Sequence, residues 1–152
     1  MDTDAEQHID PTTLKQRLVK TLRENGYKLT PQLLLIIDLL AEERTHPSAQ
    51  ALVQKAREKA PKISVSTVYY TLNLLKKLKL IKELDFYDMG NRYEANTADH
   101  INLVCLTCGR IQDFWEGLPA SSAKIEKRTG FRAHGVRLEY YGYCKDCLGA
   151  IT

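Results

Sequence analysis

The 152-residue sequence has little Trp or Phe, one and three residues, and it has no long apolar run. Its longest apolar stretch, Leu33 to Leu40, is broken by Asp38. A membrane helix needs about 20 consecutive apolar residues, so no membrane partner is expected. The first ten residues are acidic and polar, without the basic start and apolar centre of a secretory signal. The expected location is therefore the cytoplasm. There is no internal repeat, no low-complexity segment, no glycine-rich phosphate loop and no nucleophile–base pairing. These absences speak against an enzyme. Cysteine occurs only in two short pairs. What remains is ordinary globular composition, 43% apolar and 27% charged, which excludes a disordered chain.

The formal net charge is only +3, but it is unevenly spread. Pro11 to Leu84 carries 14 Lys/Arg against 6 Asp/Glu, whereas Ala95 to Thr152 carries 7 against 6. A basic first part suits a polyanionic partner. A solvated basic helix surface would look the same, so charge alone leaves nucleic acid undecided.

Punctuation along the chain predicts four helices. Thr12 or Thr13 can cap a helix running through Asn25, with Gly26 as its stop. Thr30-Pro31 is a cap followed by proline at the first helical position. Ser48 can cap a third helix that ends before Pro61, and Ser64 or Ser66 a fourth. In the fourth, Val68, Leu72 and Leu75 recur at helical spacing. Its other face shows Tyr69, Tyr70, Asn73, Lys76 and Lys77. Leu80–Asp85 and Arg92–Ala95 then read as strands around the turn residues Asp88-Met89-Gly90-Asn91. Helices followed by a β-hairpin describe a winged helix–turn–helix over residues 11–95, with the Ser64–Lys79 helix in the recognition position. Residues 1–10 form a tail before it, and residues 96–99 form a hinge after it.

Residues 100–152 predict a second, small α/β unit. Ile101–Cys105, Gly109–Phe114 and Phe131–Tyr141 read as strands, and Leu118–Thr129 as a helix. The fold class is thus α+β. A unit of about 55 residues is small for a core of its own, so a staple or a partner chain is expected. The two Cys-x-x-Cys pairs, Cys105/Cys108 and Cys144/Cys147, supply the staple. Four thiolates on two knuckles close a tetrahedron around one Zn(II) per chain. Four protein ligands leave no open position, so this zinc is structural. Disulfides are the competing reading and are disfavoured in a reducing compartment.

Several ordered motifs together resemble the ferric uptake regulator (Fur) family, over most of the chain from about Leu18 to Cys147. They are Gly26-Tyr-Lys-Leu-Thr-Pro-Gln, His46-Pro-Ser-Ala, Ser66-Thr-Val-Tyr-Tyr-Thr-Leu and Asn91-Arg-Tyr-Glu. Asp99-His-Ile-Asn-Leu-Val-Cys-Leu-Thr-Cys-Gly, Gly130-Phe and Tyr141-Gly-Tyr-Cys-Lys-Asp-Cys follow. The resemblance implies a homodimeric, metal-dependent transcriptional repressor of a palindromic DNA operator, its second domain mediating dimerisation. It also implies a regulatory Fe(II) or Mn(II) at the hinge. The positions matching the family's usual ligands are His46, Glu94, His100, Asn102 and Asp113. Asn102 is a departure, because the family usually has a second histidine there. His8 is a further candidate to complete the set, and His134 with Asp99 a candidate for a second metal site. Asp113 is similar to the residue of peroxide-sensing members, in which bound iron reacts with peroxide and ligating histidines are oxidised. His46 and His100 match those positions. Glu94 is closer to iron-uptake regulators, which sense iron without histidine oxidation.

The resemblance further implies that Thr67, Tyr69, Tyr70 and Asn73 face the major groove. Lys76, Lys77, Lys15 and Lys28 would then face phosphates. Two family cations are missing, since Tyr70 and Leu33 stand where Arg is common.

Overall fold

The computed structural model describes residues 9–43, 46–86, 90–117 and 119–151. Residues 9–97 form one compact unit and residues 98–151 belong to the other. His8, most of the expected tail, Asp88 and Met89 of the expected turn, Leu118 and Thr152 lie outside the described residues.

The first unit consists of helices α1 (Pro11–Glu24), α2 (Pro31–Glu42), α3 (Ala49–Lys59) and α4 (Val65–Lys77), then strands β1 (Lys82–Asp85) and β2 (Asn91–Glu94). Short oxygen-bearing side chains start the helices by satisfying amides that have no partner within the helix. Thr30 accepts from the Leu33 amide at 3.1 Å, Ser48 from Ala51 at 3.1 Å and Ser64 from Thr67 at 3.1 Å. The first helix differs from expectation. Its cap is Asp10, which accepts from the Thr13 amide at 3.0 Å, and Pro11 occupies the first turn. Thr13, expected as a cap, is instead a donor to it. Hydrogen bonds from Thr13 hold the Asp10 carboxyl below its ordinary pKa.

Each helix contributes one apolar stripe to a shared core. Leu18 and Leu22 of α1, Ile36 and Ile37 of α2, Leu52 and Ala56 of α3, and Val68, Leu72 and Leu75 of α4 are all fully buried. Each large aliphatic side chain so buried stabilises the unit by about 1.5–3 kcal/mol before chain entropy is counted. The wing joins this core through Ile81, Tyr93 and Ala95. Its strands are antiparallel, with Glu83 opposite Tyr93 and Lys82 opposite Glu94.

The second unit is a three-stranded sheet with two short helices. Strands β3 (Ile101–Cys105) and β4 (Ile111–Phe114) are antiparallel. Helix α5 (Ser122–Thr129) follows, then β5 (Leu138–Gly142) and α6 (Lys145–Ile151). The sheet order is β4-β3-β5, and β5 runs parallel to β3. Two expectations are corrected here. The helix expected from Leu118 starts at Ser122, because the Ser121 hydroxyl accepts from the Lys124 amide at 3.1 Å. The strand expected from Phe131 starts only at Leu138, since residues 130–137 must carry the chain from α5 to a parallel position beside β3. Helix α6 was not anticipated.

Candidate metal centres

Both cysteine pairs lie in the second unit. Cys105 ends β3, Cys108 stands in the turn behind it, Cys144 follows β5 and Cys147 lies in α6. The parallel pairing of β3 and β5 assembles them by setting Cys105 opposite Gly142. The Leu106 amide donates to the Gly142 carbonyl at 2.8 Å, which ties the first knuckle to the end of β5. Gly109 closes that knuckle at φ +75°, a left-handed conformation that suits glycine, and donates to the Cys105 carbonyl at 3.0 Å.

The four sulfurs lie within 4.8 Å of one another, and Cys108 Sγ and Cys144 Sγ are 3.7 Å apart. Zinc–sulfur bonds of about 2.3 Å give a tetrahedron with an edge of about 3.8 Å. None of the four cysteines is in a disulfide. The backbone amides of Cys108 and then Cys144 favour a thiolate at Cys105 and bring its pKa down to about 6. The Cys144 amide donates to Cys105 Sγ at 3.3 Å. Hydrogen bonding to Cys144, with burial, pushes the Cys147 thiol up to about 12. The cluster thus holds thiolate and thiol side by side, which suits replacement of the remaining protons by a divalent cation. Its donor set is that of a closed, structural zinc site.

A second kind of donor set is more deeply buried. Among the described residues the buried polar side chains are His46, Thr71, Glu94, His100 and Asn102. Four of these five are predicted ligands, and burying such groups without compensation is unfavourable. In the first unit, His46 Nε2 lies 2.8 Å from Glu94 Oε2. Three neighbours fix the ring's backbone. Arg92 Nη1 donates to the His46 carbonyl at 3.1 Å, the Tyr93 amide donates to the Pro47 carbonyl at 2.9 Å, and Phe86 meets the ring edge-on. His46 adopts φ +54°, rare for a residue with a Cβ. That conformation persists because β2 holds the segment on both sides.

In the second unit, His100 Nδ1 donates to the Ala98 carbonyl at 2.8 Å. This bond places the other nitrogen, Nε2, 3.0 Å from Asn102 Oδ1 and 3.1 Å from Asp113 Oδ1. The β3–β4 register sets Asn102 opposite Asp113, and Trp115 stacks at a tilt on the imidazole, 4.5 Å between centroids. A nitrogen lone pair and two oxygens therefore converge, an arrangement a cation completes. His134 joins no set of three or more metal-capable side chains among the described residues.

Most of the predicted DNA-facing residues share the outer face of α4. Tyr70 is 66% and Tyr69 41% exposed, and Asn73 and Lys77 are exposed beside them. Thr67 is partly covered at the helix start, where its hydroxyl meets that of Ser64 at 2.8 Å. Lys28 is exposed. Two partly exposed cations are paired with carboxylates of the same chain. Lys15 pairs with Asp38 at 2.5 Å, and Lys76 pairs with Glu83 at 2.6 Å. Sequence reading missed Arg92, Phe86 and Trp115, which position the histidines. Their only signal was proximity to the candidate ligands.

The ferric uptake regulator family model matches residues 24–141. A peroxide operon regulator of Bacillus subtilis is 37% identical over 135 residues, covering 88% of this chain and 92% of the relative. Among solved structures, the Helicobacter pylori ferric uptake regulator is 28% identical with a TM-score of 0.67, covering 91% of this chain and 93% of its own. A zinc-bound manganese uptake regulator is 32% identical with a TM-score of 0.66, covering 84% and 98%. Two cysteine knuckles on a small sheet, buried histidine–carboxylate sets and a helical unit with a wing agree with these matches, and the chain belongs to the ferric uptake regulator family of metal-responsive transcription regulators.

Proposed function

We propose that the protein is a cytoplasmic, homodimeric repressor that binds a palindromic DNA operator when loaded with Fe(II) or Mn(II) and releases it on exposure to peroxide. The observation that carries the reading is the burial of His46, Glu94, His100 and Asn102 in two donor sets. Each set is too small to satisfy an ion that takes five or six ligands. Together with Asp113 they offer two imidazole nitrogens, two carboxylates and an amide oxygen. That mixture suits Fe(II) or Mn(II) better than a soft-ligand site does. His8 remains a further candidate ligand. The similarity to a peroxide operon regulator supports the peroxide reading.

His46 and Glu94 belong to the winged-helix unit and His100, Asn102 and Asp113 to the other. A cation shared between the sets would favour one arrangement of the two units over others. The differential affinity for that arrangement sets how far DNA binding can be switched. The exposed face of α4, with Tyr69, Tyr70 and Asn73, would read base edges in the major groove while Lys77 and Lys28 face phosphates. His46 and His100 would help hold the metal; a bound Fe(II) would supply the electron for reduction of peroxide, and these two imidazoles would be the groups exposed to the oxidant formed there.

The test is anaerobic loading with Fe(II), verification of binding, then exposure to low peroxide. Mass spectrometry should find an added oxygen on peptides carrying His46 and His100, with a parallel fall in DNA affinity. Bound iron with both histidines unmodified would replace this reading with that of an iron-responsive regulator, which Glu94 and the likeness to a ferric uptake regulator favour.

A further inference from the structure

One carboxylate gathers hydrogen bonds from both wing strand β2 and helix α4. Glu83, in β1, accepts from three donors on two other elements. Lys76 Nζ, near the end of α4, reaches Oε2 at 2.6 Å. Asn91 Nδ2 and the Tyr93 hydroxyl, both in β2, reach Oε1 at 2.9 Å and 3.0 Å. The Glu83 side chain is only 19% exposed, whereas Lys76 keeps 45%. Lys76 foremost, then Asn91 and Tyr93, hold the carboxyl below its ordinary pKa despite partial burial. It is therefore charged at neutral pH, and three of its roughly four acceptor sites are taken up.

From this geometry we infer that Glu83 is a positioning residue for DNA recognition, fixing the wing against the recognition helix and withdrawing Lys76 from phosphate contact. The inference rests on the reading that α4 enters the major groove. Lys76 and Lys77 are neighbours in sequence and identical in type, yet they differ in one respect that matters for a polyanion. Lys76 is compensated by a carboxylate at 2.6 Å, while Lys77 is exposed on the outer face. A compensated cation brings little counterion release, because its charge is already neutralised. Glu83 also works geometrically. One oxygen bridges two residues of β2 while the other holds α4, so a change at this residue alters the position of the wing as well as the charge.

The experiment measures affinity for a DNA duplex carrying the operator, as a function of salt, for the metal-loaded full chain and four variants. Lys77→Ala is expected to lower the salt slope by about 0.9 per protomer, and Lys76→Ala to leave it nearly unchanged. Glu83→Gln keeps an oxygen for Asn91 and Tyr93 but turns an NH2 group toward Lys76. It should release that cation, steepen the slope by about 0.9 per protomer and tighten binding at low salt several-fold. Glu83→Ala removes all three bonds. It should weaken binding at every salt concentration and speed hydrogen exchange at β1 and β2 amides, with α1 to α3 unaffected. An equal loss of slope from Lys76→Ala and Lys77→Ala overturns the inference, as does unchanged wing exchange in Glu83→Ala. The exchange measurement needs no DNA, so it judges the clamp even if the wild-type chain fails to bind any operator, an outcome that would instead sink the DNA reading.

Discussion

The two units of this chain are stable for different reasons. The first buries leucine, isoleucine and valine from four helices in one continuous core. In the second, the buried apolar residues among the described ones are Ile101, Val104, Cys105 and Ile111, and α5 has no fully buried residue. Large apolar side chains instead face outward there, among them Phe131, Tyr140, Tyr141, Tyr143 and Leu148. A sheet so thinly covered cannot offset the entropy of ordering its chain by apolar burial alone. Cross-linking by a metal, and cover from a second copy under the proposed dimer, compensate. Two parts of one chain thus reach order by two routes, and perturbations should separate them.

Removal of zinc should have the largest effect. Structural zinc sites in small peptides are worth about 10–16 kcal/mol in apparent terms, more than this unit can lose. Chelation, or Cys108→Ser, should unfold the second unit and leave the first helical. The single tryptophan, Trp115, reports on the second unit alone. Its fluorescence should shift to the red while most of the far-ultraviolet helical signal persists. Loss of both signals in one step would break the comparison.

The converse perturbation is Leu72→Ala, at a fully buried position of α4. It should cost about 2–5 kcal/mol. Thermal melting should show the helical transition falling, with zinc content and Trp115 fluorescence at low temperature unchanged.

A third change acts on the buried donor sets. Asn102→His replaces a neutral oxygen with an imidazole, and should shift preference from Mn(II) toward Zn(II) or Ni(II) by about tenfold, or 1.4 kcal/mol. Competition against a chelator of known affinity measures it. An unchanged ratio would remove Asn102 from the ligand set.

The smallest effect is expected at Glu83. Its folded pKa lies below the ordinary carboxyl value of 4.5, so its stabilising contribution is present above that value and fades as pH falls through the lowered folded pKa. Partial exposure limits the contribution to under about 1 kcal/mol. The stability difference between wild type and Glu83→Gln should therefore shrink in acid, as urea melts at neutral and acidic pH would show.

Much of this organisation was legible before any coordinates. Helix starts at Thr30, at Ser48 and at one of the two serines offered for the fourth helix, Ser64, were readable because capping is a local event within four residues. The four-cysteine cluster was readable because knuckle spacing is itself local, although its assembly depends on a parallel pairing 37 positions apart. What escaped was non-local. Nothing near Lys15 or Lys76 announces Asp38 or Glu83 as a partner. The alternating, aromatic-containing segment from Phe131 looks like strand throughout, yet only its last part finds β3 to pair with. The left-handed backbone at His46 is invisible in sequence, since histidine before proline predicts extended geometry.

The parallel pairing of β3 with β5 also has a consequence in time. A first knuckle carrying only Cys105 and Cys108 offers two thiolates, and the remaining two arrive only when the loop between Cys105 and Cys144 has closed. Non-local parallel strand pairing is slow relative to the formation of local helices. Available zinc should therefore set the rate at which the second unit is completed, while the helical unit folds at a rate indifferent to metal. A newly made chain would pass through an interval with its helices formed and its sheet still waiting for an ion.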